Sequence, residues 1–126
     1  MKFVLALGLV SLLAVPAVLA DDPPKPPVKE TWATSEGNLT LQVLPYSFQG
    51  IYDQDNGRMV GTLGDGVWTG YWGEDSSGTE CKTVVLGTKY WGRISFTFDK
   101  ARKHFDGKWS YCDEDFHADW TGDIAK

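Results

Sequence analysis

Tryptophan is the residue type in this sequence with the clearest capacity for ligand chemistry, and the chain has six. Indole rings stack on sugar rings and line pockets for apolar ligands. They also fill the cores of small β-proteins. Four of the six occur in phase with nearby glycines in short alternating segments, so we predict that these four point into a core. They are Trp68, Trp72, Trp109 and Trp120.

Three other aromatic residues are better candidates for an exposed contact surface. Tyr90 and Trp91 are neighbours, so the alternation of a strand turns one of them outward. Together with Tyr71 they are the ligand-binding residues that the sequence predicts. Aromatic side chains at a surface suit a glycan or a small apolar ligand.

Acidic residues near the C-terminus could hold a divalent metal ion. On an extended strand Asp115, His117 and Asp119 would share the outer face. However, same-face neighbours on a strand are about 7 Å apart, too far for one ion without a bend. We therefore predict a solvated hairpin with Lys108 opposite Asp119, and no metal or cofactor.

A catalytic set is harder to assemble. His104 and His117 are the only histidines, and the predicted pairing puts Ser110 opposite His117 on a wet outer face. Such a Ser–His pair has no pocket and no evident oxyanion hole. The sequence therefore predicts a protein that is not an enzyme, and a small hydrolase is kept as a minor alternative.

The elements that must position these side chains are strands built on one pattern: apolar, any, Gly, any, apolar. Period 2 puts the two large side chains and the glycine on one face. A glycine inside a strand is typical of a place where another group approaches closely. The copies of this pattern are Phe48–Tyr52, Met59–Leu63, Trp68–Trp72, Phe105–Trp109 and Trp120–Ile124.

Two turns predict how the first copies pair. A two-residue turn at Asn56-Gly57 would place Tyr52 opposite Gly61. A turn at Asp65-Gly66 would place Gly61 opposite Gly70, which leaves a notch for a Trp or a ligand.

The last hairpin is predicted to place Gly107 opposite Trp120 and Gly122 opposite Phe105. A large side chain then covers a glycine on the next strand in most pairs, which fixes register in curved sheets. No segment has a helical period. We predict an all-β antiparallel meander of seven to eight strands in a small closed barrel, with a β-sandwich as the alternative.

The chain divides into three parts. Residues 1–20 have a basic start, an apolar run and small residues before Asp21, which is typical of a secretory signal peptide. The run is too short for a spanning helix, so no membrane insertion is predicted. Residues 21–30 contain four prolines and are predicted to be an extended arm. Residues 31–126 are the predicted barrel domain of a secreted, extracellular protein.

Secretion gives three further expectations. Cys81 and Cys112 are predicted to form one disulfide. Asn38 begins an Asn-Leu-Thr sequon and is a candidate glycosylation site. The formal charge is −5, and becomes −6 when Lys2 is removed with the signal peptide. This acidity argues against nucleic acid as a partner.

The order of these motifs resembles a small Gly/Trp-rich β domain that recurs in many secreted, mostly uncharacterised proteins. The resemblance implies the fold and no catalytic residue. It is carried by Trp32, Gly37-Asn38-Leu39, Gly50-Ile51-Tyr52, Gly57–Gly61, Gly70-Tyr71-Trp72, Phe105–Ser110 and Trp120-Thr121-Gly122.

A weaker resemblance is to the avidin and lipocalin (calycin) group of ligand-binding barrels. The Gly-x-Tyr phrase at Gly50–Tyr52 is similar to the second strand of avidin. The biotin-contacting Asn and Ser of avidin would fall on Thr34 and Asn38, so biotin binding is not predicted.

The leading hypothesis is therefore a secreted, non-catalytic binding domain that takes a glycan or a small apolar ligand through aromatic residues. The alternative is an acidic structural protein of an extracellular or mineralising matrix, acting through its acidic surface and Pro-rich arm. The partners expected are accordingly a glycan, a small ligand or a matrix component. The sequence gives no prediction of oligomeric state.

Overall fold

The computed structural model describes residues 27–126, so the predicted signal peptide and residues 21–26 of the arm lie outside the described residues. The described part has eight β-strands and no helix, and hence no helix long and apolar enough to cross a membrane. The strands are β1 (Val28–Thr34), β2 (Gly37–Val43), β3 (Ser47–Tyr52), β4 (Gly57–Leu63), β5 (Val67–Glu74), β6 (Tyr90–Phe98), β7 (His104–Trp109) and β8 (Ala118–Ile124).

The strands form a closed barrel in sequence order, each antiparallel to the next. β8 returns to pair with β1, from Trp32 opposite Ile124 to Thr34 opposite Gly122. The predicted all-β meander and closed barrel are confirmed, and the sandwich alternative is wrong. β1 begins at Val28, so the first strand takes in the last three residues of the predicted arm, and Glu30 is already paired with Leu41.

The inner face holds a core of large side chains packed over glycines. Phe105 lies opposite Gly122, and Trp120 lies opposite Gly107, as predicted. A methyl group on Gly122 would come within 2.4 Å of the Phe105 ring, so no larger residue fits there without displacement. The four tryptophans predicted to point inward all belong to the core or pack against it.

The first hairpin differs from the prediction by four residues. Tyr52 pairs with Gly57, not with Gly61, and residues 53–56 form the turn. Asp55 and Asn56 adopt the left-handed conformation that the turn needs, with φ of 44° and 55°. Gly57 lies inside β4, where an added Cβ would be 2.3 Å from the Tyr52 ring. The glycine is required by ring packing and not by the turn.

The second hairpin agrees with the prediction, because Gly61 lies opposite Gly70. The notch between these glycines is filled. Phe48, which pairs with Gly61, has its ring within 2.5 Å of where a Cβ on Gly61 would stand. The residue that fills the notch on the inner face is thus a phenylalanine of the neighbouring strand.

The barrel has two different ends. At one, which we call the plugged end, lie the turns 44–46, 64–66 and 99–103. At the other, which we call the open end, lie the turns 35–36 and 53–56 and the longer loops 75–89 and 110–117. The disulfide joins these two loops, since Cys81 and Cys112 are bonded as predicted, with their Cα atoms 5.6 Å apart. A disulfide in so small a domain is consistent with an oxidising, extracellular location.

Candidate functional site

The open end contains a cavity of about 140 Å³, which we call the mouth. Its lining combines aromatic rings with polar side chains, contributed by seven different strands, turns and loops. The lining residues are Glu36, Gln54, Trp72, Glu74, Ser77, Trp109, Tyr111 and Trp120.

Strand alternation brings the deeper part of this lining together. Trp72 and Glu74 are two apart on β5 and both face inward. Trp109 is the last residue of β7, and Trp120 lies on the inner face of β8. Tyr111 follows on the loop that carries Cys112, so the disulfide-linked loop completes the wall.

Three aromatic rings of the mouth stand nearly perpendicular to one another. The ring planes of Trp72 and Trp109 make an angle of 88°, with their centroids 5.9 Å apart. Trp109 and Tyr111 also meet at 88°, at 4.9 Å. This arrangement forms adjacent walls of a box and not a parallel stack.

The indole N–H groups of the three tryptophans in the mouth differ in whether they have a hydrogen-bond partner. Trp72 Nε1 donates to the Ser110 carbonyl and Trp120 Nε1 to Thr34 Oγ1, both at 3.0 Å. Trp109 Nε1 is buried and has no hydrogen-bond partner among residues 27–126. An unpaired buried donor is unfavourable, so each such group needs an explanation.

Glu74 is the deepest charged group of the mouth and is 9% exposed. Its Oε1 accepts a hydrogen bond of 2.8 Å from the Tyr52 hydroxyl. Burial raises the pKa of Glu74 above its ordinary value, and the charges of Asp55 and Glu36 add to this, against the opposing effect of the Tyr52 hydrogen bond. Burial, helped by the negative Glu74, also raises the pKa of Tyr52.

The mouth carries negative charge without a compensating cation in its lining. Glu36 and Glu74 line it, and no lysine or arginine does. The nearby Arg58 is engaged elsewhere: it pairs with Asp75 at 2.6 Å and donates to the Leu86 carbonyl at 3.1 and 3.2 Å.

The plugged end has a cation of its own. The guanidinium carbon of Arg102 lies 4.3 Å from the ring centroid of Trp68 and 4.5 Å from that of Phe98. The same group bonds to Glu30 at 2.6 Å. Asp99 holds the turn that carries Arg102 by accepting backbone N–H bonds from Lys103 and His104, which lower the pKa of Asp99.

The predicted contact residues Tyr71, Tyr90 and Trp91 do not form one exposed surface. Tyr71 is 40% exposed on the outer face, and Tyr90 is half-buried. Trp91 is only 3% exposed, so the expectation that it is a surface contact is wrong. The loop 75–89 covers its ring, and its indole donates to the Thr83 carbonyl at 2.8 Å.

Tyr71 borders a shallow groove on the outer face of β4, β5 and β6. The groove has a volume of about 560 Å³ and ends at Phe116, which is 37% exposed. Arg93 lies under this end, with its guanidinium carbon 4.7 Å from the Phe116 ring centroid. The groove is more open and has fewer converging polar groups than the mouth.

The remaining candidate residues do not line the mouth. Asn38 is exposed on β2, which leaves glycosylation a prediction. Lys108 pairs with Asp119 at 3.1 Å, as predicted.

The β7–β8 pairing ends at Trp109 opposite Ala118, so Ser110 and His117 lie just beyond it. His117 packs against the rings of Trp109 and Tyr111. The expectation that Ser110 lies on a wet outer face is wrong. Ser110 is fully buried and its hydroxyl donates to the Cys112 carbonyl at 3.2 Å.

Metal ligation finds no support in this part of the chain: residues 27–126 contain no group of three His, Cys, Asp or Glu side chains that could hold an ion.

No protein-family model, curated protein or solved structure matches the chain. The two resemblances described above therefore stay predictions, and the function is argued from the site itself.

Sequence reasoning missed the mouth because it assigned Trp72, Trp109 and Trp120 to the core and did not single out Glu74. A usable signal was present. Strand alternation puts Glu74 on the same inner face of β5 as Trp68 and Trp72. A carboxylate on that face indicates where the apolar core ends, because an ionised group is not buried among apolar side chains without a partner.

Proposed function

We propose that this protein is a secreted, non-catalytic binding domain whose ligand enters the mouth at the open end of the barrel. The aromatic walls would contact the apolar surface of a glycan or small organic ligand, and the polar groups would orient it. Ligand sites of this kind combine apolar walls with a few convergent polar groups, and the openings of β-barrels are frequent places for them.

The observation that carries this proposal is the mouth itself. The side chains of Trp72, Trp109 and Trp120 line one cavity together with Glu74, a carboxylate that is only 9% exposed. Aromatic walls and a polar group that converge on one cavity are the combination expected of a ligand site.

The test is a titration of intrinsic fluorescence against a panel of monosaccharides, amino sugars, small amines and small apolar alcohols. We expect saturable binding of at least one class, which Trp109→Phe weakens because it replaces an indole wall of the mouth with a smaller ring. Trp91→Phe is the matched control, since Trp91 lies outside the barrel beneath the loop 75–89.

Equal binding by the two variants would overturn the mouth as the site. A protein that shows no saturable ligand but aggregates with calcium or adsorbs to mineral would instead support the structural matrix alternative.

A further inference from the structure

We propose that the mouth binds an organic ammonium group, a class of ligand that goes beyond the glycan or apolar ligand expected from the sequence. This inference rests on the proposed function, because it assigns the ligand class of the same cavity. It is carried by the ring geometry, the uncompensated charge and a comparison within the molecule.

The first argument is geometric. Trp72, Trp109 and Tyr111 present adjacent walls that meet at 67° to 88°. An organic cation is attracted to the faces of aromatic rings, most strongly to tryptophan, and rings arranged as a box contact several sides of one cation. Flat stacking of a neutral ring would favour parallel walls instead.

The second argument is electrostatic. Glu74 is held at the base of the mouth by Tyr52, and Glu36 lies at its rim, held by a 3.1 Å bond from Gln54. Both carboxylates line the cavity, whose lining has no basic side chain. A bound cation would stabilise the ionised form of Glu74, which burial otherwise disfavours.

The third argument comes from the plugged end. There two aromatic rings and a carboxylate also lie close together, and the guanidinium of Arg102 contacts all three. The mouth has rings and carboxylates but no basic side chain among its lining residues. His117 packs against the rings of Trp109 and Tyr111 but is not part of that lining. We therefore assign the cation at the open end to a ligand.

Size narrows the class of ligand further. The cavity of about 140 Å³ is smaller than typical ligand pockets of about 300–1,000 Å³, so it suits a headgroup and not a whole drug-sized molecule. A small amine or an amino alcohol such as choline has this size.

The experiment compares choline with 3,3-dimethylbutan-1-ol, a neutral molecule of the same shape in which carbon replaces the charged nitrogen. Binding to the oxidised full chain is measured by tryptophan fluorescence and by the proton shifts of the ligand methyl groups. We expect choline to bind about tenfold more tightly than the neutral alcohol, with its methyl protons shifted upfield by the rings.

Glu74→Gln should remove about tenfold of the choline affinity and leave that of the neutral alcohol unchanged. Gln keeps the acceptor for Tyr52, and circular dichroism checks the fold. Glu30→Gln is the matched control, because it makes the same change at the plugged end. Glucosamine and ethylamine, added as further probes, report whether a primary ammonium is accepted as well as a quaternary one.

Equal affinity for choline and the neutral alcohol overturns the inference while the proposed function stands, because the mouth then binds apolar groups. Binding of a neutral sugar alone has the same meaning. Failure of every ligand in the panel overturns both. The methyl shifts are measured on the unmodified chain, so the inference stays testable even where a variant fails to fold.

Discussion

The two ends of the barrel are made of similar side chains but treat charge differently. At the plugged end, Arg102 covers the rings of Trp68 and Phe98 and bonds to Glu30. At the open end, the aromatic walls surround Glu74, and the nearest hydrogen-bond donor to its carboxylate is the neutral Tyr52. The carboxylate at the plugged end thus has a cationic partner from the chain itself, whereas the lining of the mouth provides none for Glu74.

This difference suggests how a small barrel combines stability with binding. The plugged end and the central core are closed by close contacts over glycines, and they supply the rigid support. The open end has a buried carboxylate and an unpaired donor, both of which cost folding free energy. Binding sites commonly retain such costs because optimising them for stability would remove the site.

Removal of the disulfide should have the largest effect on the open end. Changing Cys81 and Cys112 to Ser removes the bond between the loops 75–89 and 110–117. The two cysteines are 31 positions apart in the sequence. The chain-entropy model gives a loss of about 3–4 kcal/mol in the free energy of unfolding. Urea denaturation measures it, and ligand affinity should fall as well because Tyr111 is no longer held. A loss below about 1 kcal/mol would contradict this role.

Replacing Arg102 at the plugged end should lower the stability of the protein and leave ligand binding unchanged. Arg102→Met removes the cation from both rings and leaves Glu30, which is largely buried, without its partner. We expect a loss of about 1–2 kcal/mol in the free energy of unfolding and unchanged ligand affinity. Lys100→Met, in the same turn and exposed, is the control. Loss of ligand binding in the Arg102 variant alone would show that the ends are coupled.

Glu74→Gln should instead stabilise the protein near neutral pH. The pKa of Glu74 is raised in the folded state, so its stabilising contribution is present below the unfolded pKa and is lost as the pH rises through the folded pKa. The neutral Gln avoids this loss. We expect Tm to be higher for the variant near neutral pH, and the gain to disappear as the pH falls. Thermal scans over a pH series check it, and a gain that persists in acid would refute the cause.

The smallest effect on stability is expected at His104, which follows the turn that carries Arg102. Hydrogen bonds with Asp123 and Asp106 raise the pKa of His104. Its contribution to stability is therefore present when the imidazole is protonated and is lost as the pH rises through the folded pKa. Asp123→Asn should lower this pKa, as measured by proton NMR of the imidazole ring, whereas Asp119→Asn on the same strand should not.

The sequence predicted the parts of the fold that depend on strand alternation. The inward direction of Trp68, Trp72, Trp109 and Trp120 follows from period 2, and the pairing of the last hairpin follows from large residues lying over glycines. The first hairpin could not be predicted in this way. Asn56-Gly57 is a strong local turn signal, yet Gly57 is needed beneath the Tyr52 ring, and tertiary packing decided the register.

The site was less predictable because alternation assigns a residue to a face but not to what covers that face. Trp91 does lie on the outer side of β6, opposite Gly73, but the loop 75–89 is folded over it. Similarly, alternation shows that a side chain points into the barrel but not whether it lies in the middle of the core or at the end of the barrel. Trp120 is a core residue and Trp109 packs against the core, as predicted, yet both also line the mouth.

The closure of the sheet has a consequence for how the protein behaves at high concentration. Within the described residues, β8 pairs with β1 along residues 32–34, and the Ala125 N–H donates to the Thr31 carbonyl at 2.8 Å, so residues 28–30 are the stretch of β1 outside this seam. That stretch contains Lys29 and Glu30 and follows Pro27, and charged residues and proline discourage the addition of a foreign strand. A concentrated solution of this domain should therefore resist amyloid-type growth.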